Sequence, residues 1–90
     1  MVKAVVDIEQ GIMAIGGELH ADEEALLLDN GSKQEHLWGI NIYHALPRDQ
    51  WIEFDSMINI RPWQANRSRG VEDEKICQYI IKIVSNLITE

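Results

Sequence analysis

The chain has 90 residues, 46% of them hydrophobic, with eight basic against fifteen acidic side chains and a formal net charge of −7. That length makes one small domain, which buries only about 60% of the surface its unfolded chain exposes, so association with a second copy is an expected source of further burial. The acidic balance argues against general nucleic-acid binding, which needs net basic surface to displace counterions. Apolar runs such as Ala25 to Leu28 are too short to cross a bilayer. The single cysteine, Cys77, and a start without the pattern of a secretory signal point to a reducing, cytoplasmic setting.

In chain order, Val2, Ala4, Val6 and Ile8 alternate with Lys3, Val5, Asp7 and Glu9, the period of two expected of a half-buried strand. After Glu9-Gln10-Gly11 the apolar run Ile12-Met13-Ala14-Ile15 resumes, which predicts a hairpin, and Gly16-Gly17 then bends the chain. The segment from Asp22 to Gly31 fits two structures. Asp22 as cap, acids in the first turn and Gly31 as terminator would make a short helix; an Asn30-Gly31 turn would instead close a strand. Strands on both sides and the shortness of the apolar run favour the strand. Trp38, Ile40 and Ile42, alternating with Gly39, Asn41 and Tyr43, predict another strand, followed by a loop over 45–50.

The most regular alternation comes next. Ile52, Phe54, Ile58 and Ile60 share one parity and Glu53, Asp55, Met57, Asn59 and Arg61 the other, predicting a strand that ends at Pro62 and presents Arg61 on its polar face. Glu72-Asp73-Glu74 opens a final helix, with Asp73 as cap and negative charge at the positive end of the helix dipole. Its apolar residues, from Ile76 to Ile88, spread over roughly 200° of arc, wider than the stripe of about 100° that one sheet face covers. The excess predicts a homodimer or another covering segment. The fold expected is a single α+β domain over 1–90: an antiparallel sheet of four to five strands with the C-terminal helix packed on one face.

Three of the chain's four arginines fall in the segment from Asn59 to Gly70, and 56–71 carries a net charge of +3 against −6 for 1–30. A guanidinium donates two parallel bonds to carboxylate or phosphate and does not titrate away, so Arg61, Arg67 and Arg69 with the Asn66 amide form the candidate site for a small anionic ligand. The competing reading is that these arginines pair with the chain's own acids, such as Glu53 or Asp55. Glu18, His20 and Asp22, two apart, would share one face of an extended segment, where imidazole and two carboxylates can hold a divalent cation, with Glu24 or His44 as further ligands. Gly31-Ser32-Lys33 lacks the upstream glycine of a phosphate loop, and no cofactor is expected. Ser56 has no histidine nearby in sequence, Cys77 lies in the apolar arc of the last helix as a packed thiol, and Trp38, Trp51 and Trp63 are core or interface residues rather than a base-stacking platform.

Several stretches together carry a family resemblance: Val-Lys-Ala-Val-Val-Asp-Ile at 2–8, Met-Ala-Ile-Gly-Gly-Glu-Leu-His-Ala-Asp-Glu-Glu-Ala-Leu-Leu-Leu at 13–28, Gly-Ser-Lys-Gln at 31–34, Leu-Trp-Gly-Ile-Asn-Ile-Tyr at 37–43, Ile-Asn-Ile-Arg-Pro at 58–62 and Asn-Arg-Ser at 66–68. The chain resembles the small prokaryotic DUF5674 family over nearly its whole length. The resemblance implies no reaction and no site residue; it implies that relatives carry a further segment before Met1, which would itself cover part of the last helix. The function expected from the residues is therefore a small binding or regulatory module recognising an anionic group. The alternative is a small hydrolase or transferase acting on a phosphate- or carboxylate-bearing substrate, with His20 moving a proton beside Asp22 or Glu18. An enzyme of that kind requires His20 and the arginines in one cleft.

Overall fold

A computed structural model describes residues 1–88. Four strands form one antiparallel sheet: β1 (Val2–Asp7), β2 (Ile12–Ile15), β3 (Leu37–Ile42) and the short β4 (Ile52–Glu53), in the order β2-β1-β3-β4. Helix α1 (His20–Asp29) connects β2 to β3, and helix α2 (Glu74–Leu87) closes the described chain. The α+β class and the C-terminal helix are as the sequence predicts, with four strands in the sheet.

The strand register explains the layers. Ala4, Val6, Trp38, Ile40 and Ile42 form the main core with Ile80 and Val84 of α2. Val5, from the opposite parity of β1, packs with Ala14, Leu37 and Leu27 of α1. Successive strand residues face opposite sides, so the two helices cover opposite faces of the sheet. That is why β1, a central strand, is apolar at Val5 as well as at its even positions.

The segment from Asp22 is helical to Asp29, with Asn30 and Gly31 in the turn that follows, and the strand preference is corrected. Its Glu, Ala and Leu residues are strong helix formers and include no β-branched side chain. The carboxylate of Glu23, only 3% exposed, reaches back to accept the Gly17 N–H at 2.9 Å. A Cβ at Gly17 would lie 2.7 Å from Glu23 Cγ, so the approach requires glycine there. Burial raises the Glu23 pKa against the lowering effect of that bond.

The long strand predicted from Ile52 to Arg61 is also corrected. Only Ile52 and Glu53 pair with β3, opposite Ile42 and Asn41; Met57–Asn59 and Pro62–Gln64 are 3-10 turns. Beyond Glu53 the edge of β3 is completed by side chains. The Gly39 N–H donates to Asn59 Oδ1 at 2.8 Å, and Asn59 Nδ2 donates to the Gly39 carbonyl at 3.0 Å and to the Arg69 carbonyl at 2.9 Å. One residue pair further along, the Arg61 guanidinium donates to the Leu37 carbonyl at 2.8 Å and to that of Gln34. A Cβ on Gly39 would come within 2.6 Å of the Ser56 side chain, so this close layer over β3 also depends on a glycine.

On α2, Asp73 caps the helix by accepting the Lys75 N–H at 2.8 Å. Ile80 and Val84 are buried, while Tyr79, Ile81 and Leu87 remain exposed, so the sheet covers only the centre of the wide apolar arc. The Cys77 thiol is half-buried and donates to the Val71 carbonyl at 3.2 Å; burial pushes its pKa up.

Asp7, fully buried, ties hairpin and helix together. Its carboxylate accepts from the backbone N–H groups of Glu9 and Gln10, from Gln10 Nε2, and from the Ser32 hydroxyl at 2.6 Å. Burial by itself would raise its pKa, but the bonds from Ser32, Gln10 and Glu9 together outweigh burial and the net shift is downward from 3.8. A depressed folded value means that ionised Asp7 stabilises the fold above the unfolded pKa and that this contribution is lost as pH falls through the folded one. Asp7→Asn is expected to cost about 1–3 kcal/mol at neutral pH. In urea titrations the gap between wild type and variant should narrow only below the unfolded value of 3.8.

Replacing Asn59 by Ala strands the Gly39 N–H and C=O on a buried sheet edge. The expected loss is roughly 2–4 kcal/mol, given about 1–3 kcal/mol per unsatisfied buried group. A urea midpoint unchanged from wild type would refute the role assigned to this side chain.

Candidate functional site

The structure disperses the predicted arginine cluster. Arg61 is 1% exposed; its guanidinium stacks 4.3 Å from the Trp38 ring centroid and completes the β3 edge, so it does not project from a polar sheet face. Its departure from expectation follows from the loss of the long strand: the alternation is real, but the chain turns at Met57–Asn59. Asn66 is likewise buried. Its Nδ2 donates to the carbonyls of Asn59, Ser68 and Gly70, and its Oδ1 accepts the Glu72 N–H, which clamps the loop over 59–72. Ala65 at φ 59° and the paired backbones of Arg61 and Asn66 complete this clamp.

The remainder of the loop does hold an anion, and the anion is Glu72. Its carboxylate accepts the successive N–H groups of Arg67 at 2.6 Å and Ser68 at 2.8 Å, a concave pair of donors suited to negative charge. Those backbone bonds, Ser68 first, hold its pKa down, with the Arg67 charge adding to the effect. Arg69 lies elsewhere, its Nε 2.5 Å from Asp55 Oδ1 in an exposed ion pair.

The residues of the proposed metal trio are not gathered either. They face one way only in an extended chain, and here Glu18 is in the loop before α1, His20 is its first residue and Asp22 is exposed on its outer turn. Among the described residues no group of three His, Cys, Asp or Glu side chains is placed to hold a metal ion.

What the tertiary structure does assemble is a cleft of about 430 Å³ beside α1, where the sheet face is left open. Its floor is one row across three strands. Lys3 of β1 pairs with Asn41 of β3, and Asn41 pairs with Glu53 of β4. All three share the parity of Val5, the α1 side. Tyr43 and Arg69 also line the cleft, with His20 and Ala21 at the start of α1; Leu19, Met57 and Ile58 form an apolar wall.

Each polar group on this floor has a defined state. Asn41 is 5% exposed, and its Nδ2 donates to Glu53 Oε1 at 2.8 Å and the Asp55 carbonyl at 3.3 Å. Two acceptors on that side fix the orientation of the amide, because exchanging its ends would set oxygen against oxygen. Asn41 Oδ1 is then buried with no hydrogen-bond partner. The Tyr43 hydroxyl donates to Glu53 Oε1 at 3.2 Å, and desolvation followed by the neighbouring Glu53 carboxylate raises its pKa. Lys3 is half-buried, and its ammonium makes no hydrogen bond or ion pair among the described residues.

His20 lies 2.7 Å through Nε2 from the Ile40 carbonyl. A carbonyl only accepts, so Nε2 carries the proton and Nδ1 keeps a lone pair. Burial lowers the His20 pKa and outweighs the Ile40 carbonyl, which leaves the imidazole neutral at pH 7. The first residues of α1 also bring the positive end of the helix dipole to the cleft.

Sequence reasoning did not single out Lys3, Asn41 or Tyr43, and named Glu53 only as an internal partner for the arginines. The available signal was a polar residue of matching parity in each of three strands, which becomes meaningful only once their register is known. Of the residues that were singled out, His20 and Arg69 share this cleft, while Arg61, Asn66 and Arg67 do not.

The fold and cleft define a small α+β domain with a helix on each face of an antiparallel sheet and one polar recess beside the first helix. The profile of the family described as "Protein of unknown function (DUF5674)" matches residues 1–87, and the chain belongs to that family. No curated protein and no solved structure matches it. Among the described residues no helix is long and apolar enough to cross a membrane.

Proposed function

We propose that the protein is a small-ligand-binding module that recognises an anionic group in the cleft beside α1, rather than on the arginine loop. The observation that carries this reading is Lys3, a half-buried residue whose ammonium has no ion pair among the described residues, lining a recess of ligand size. Arg69 lines the same recess, and its Nε bond to Asp55 leaves the terminal guanidinium nitrogens available to a second carboxylate or a phosphate. The positive end of α1 adds to the attraction. The N–H groups of Arg67 and Ser68, by contrast, are already filled by Glu72.

Thermal shift with small carboxylates and with phosphate tests this. At least one should raise the midpoint of wild type and of Arg67→Ala but not that of Lys3→Met. The reverse pattern, with Arg67→Ala silent and Lys3→Met responsive, would return the anion to the loop.

A hydrolase or transferase working on a phosphate- or carboxylate-bearing substrate is the second reading, favoured by the neutral His20 and Arg69 lining one cleft. There His20 would act as general base and Arg69 would neutralise the anion. Turnover of nitrophenyl phosphate or carboxylate esters that is lost in His20→Gln would support it.

The module is further proposed to be a cytoplasmic homodimer. Tyr79, Ile81 and Leu87 stay exposed around the covered centre of the α2 apolar arc, surface that a second copy would bury in part, and the unpaired Cys77 suits a reducing compartment. Light scattering after size exclusion should give twice the 10.3 kDa chain mass, falling to one chain in a Tyr79→Glu, Leu87→Glu double variant. A monomer at all concentrations would exclude the dimer.

A further inference from the structure

Resting on the reading that the cleft takes an anionic group, we infer that its ligand is a small zwitterion, an α-amino acid with an apolar side chain. Lys3, Asn41 and Glu53 lie in register across β1, β3 and β4, so the floor of the cleft runs from a cation through an amide to a carboxylate. Strands are spaced about 4.8 Å apart, which puts the backbones of Lys3 and Glu53 roughly 10 Å apart and lets their long side chains lean inward from opposite sides. A ligand with only negative charge satisfies the Lys3 end and is repelled by Glu53. One that carries ammonium and carboxylate on a single carbon matches both ends.

The amide between them gives independent support. Asn41 is 95% buried, its Nδ2 is committed to Glu53 Oε1 and the Asp55 carbonyl, and its Oδ1 has no partner. An unsatisfied carbonyl oxygen at that depth is destabilising unless something donates to it. The Lys3 ammonium is not bonded to it, and the Tyr43 hydroxyl is committed to Glu53. An ammonium from outside the chain has the three donors needed: one for the free edge of the Glu53 carboxylate, one for water, and one for Asn41 Oδ1, which is closed to solvent in the unliganded cleft and is reached only as side chains at the rim shift. The ligand carboxylate then meets Lys3 and the terminal nitrogens of Arg69. Leu19 and Met57, large apolar side chains 58% and 65% exposed, stand with Ile58 on the wall of the same recess, where they would cover an apolar side chain.

Calorimetric titration of the whole protein with three probes tests the inference: leucine, 4-methylpentanoate (leucine without its ammonium) and 3-methylbutylamine (leucine without its carboxylate). Leucine should bind at least about tenfold tighter than either, since each loses charge-assisted hydrogen bonds. Glu53→Gln, which keeps an oxygen for Asn41 and Tyr43, should bring leucine down to the level of 4-methylpentanoate and leave the latter unweakened. Asn41→Leu should do the same if circular dichroism shows it folded. Equal binding of leucine and 4-methylpentanoate would overturn the zwitterion and leave the anion site standing. Binding of 3-methylbutylamine alone would overturn both, and binding of none of the three would overturn the zwitterion while a thermal shift with phosphate decides the anion site.

Discussion

The outer edge of β3 is the constraint on which the rest of the structure depends. The strand lies in the middle of the sheet, yet its partner on that side, β4, lasts for only Ile52 and Glu53. Buried backbone donors and acceptors must be paired. Asn59 answers Gly39 with both ends of its amide, and Arg61 answers Leu37 with its guanidinium. An amide side chain has the donor and acceptor of a peptide group, so Asn59 stands in for a ladder residue. The chain is thereby free to turn away from the sheet while the ladder continues in side-chain atoms, and Asn66 then fastens the turning segment to itself.

That arrangement creates the cleft. Because β4 is short and the following segment folds into a 3-10 turn, the face of β3 around Asn41 is flanked on one side by Met57 and Ile58 and on the other by the start of α1, with a recess between them. Polar residues are tolerated on the floor for that reason. Lys3 and Glu53 keep access to water at their tips, and Asn41 is held down by Glu53 and the Asp55 carbonyl. His20 closes the recess at the helix end, where a bond to the Ile40 carbonyl fixes the ring and burial keeps it neutral.

The arginine segment illustrates how local charge can be answered from within the fold. In an acidic chain, a net +3 over sixteen residues looks like a docking site for something negative. Here the partners are internal: backbone carbonyls for Arg61, the Asp55 carboxylate for Arg69, and the Glu72 carboxylate at the Arg67 and Ser68 N–H groups. Glu72 is itself only five residues from Arg67, so the loop and its counter-ion form one local unit. Clustered arginines are thus used to order an irregular segment that has little regular backbone pairing of its own.

Much of the architecture was legible in the sequence by itself: the hairpin of β1 and β2, β3, the Asp73-capped last helix and the α+β class all follow from periodicities of two and 3.6 and from glycine placement, which are local properties. The reading of 22–31 as a strand gave too little weight to the helix propensity of Glu, Ala and Leu, and that of 52–61 as one strand treated alternation as pairing, although pairing depends on a partner edge that no window of sequence contains. The fate of the arginines, the splitting of Glu18, His20 and Asp22, and the joining of Lys3, Asn41 and Glu53 into one row were decided only by tertiary structure. Those residues are up to fifty positions apart, and what sets them together is strand register, a relation between segments rather than a property of any one of them.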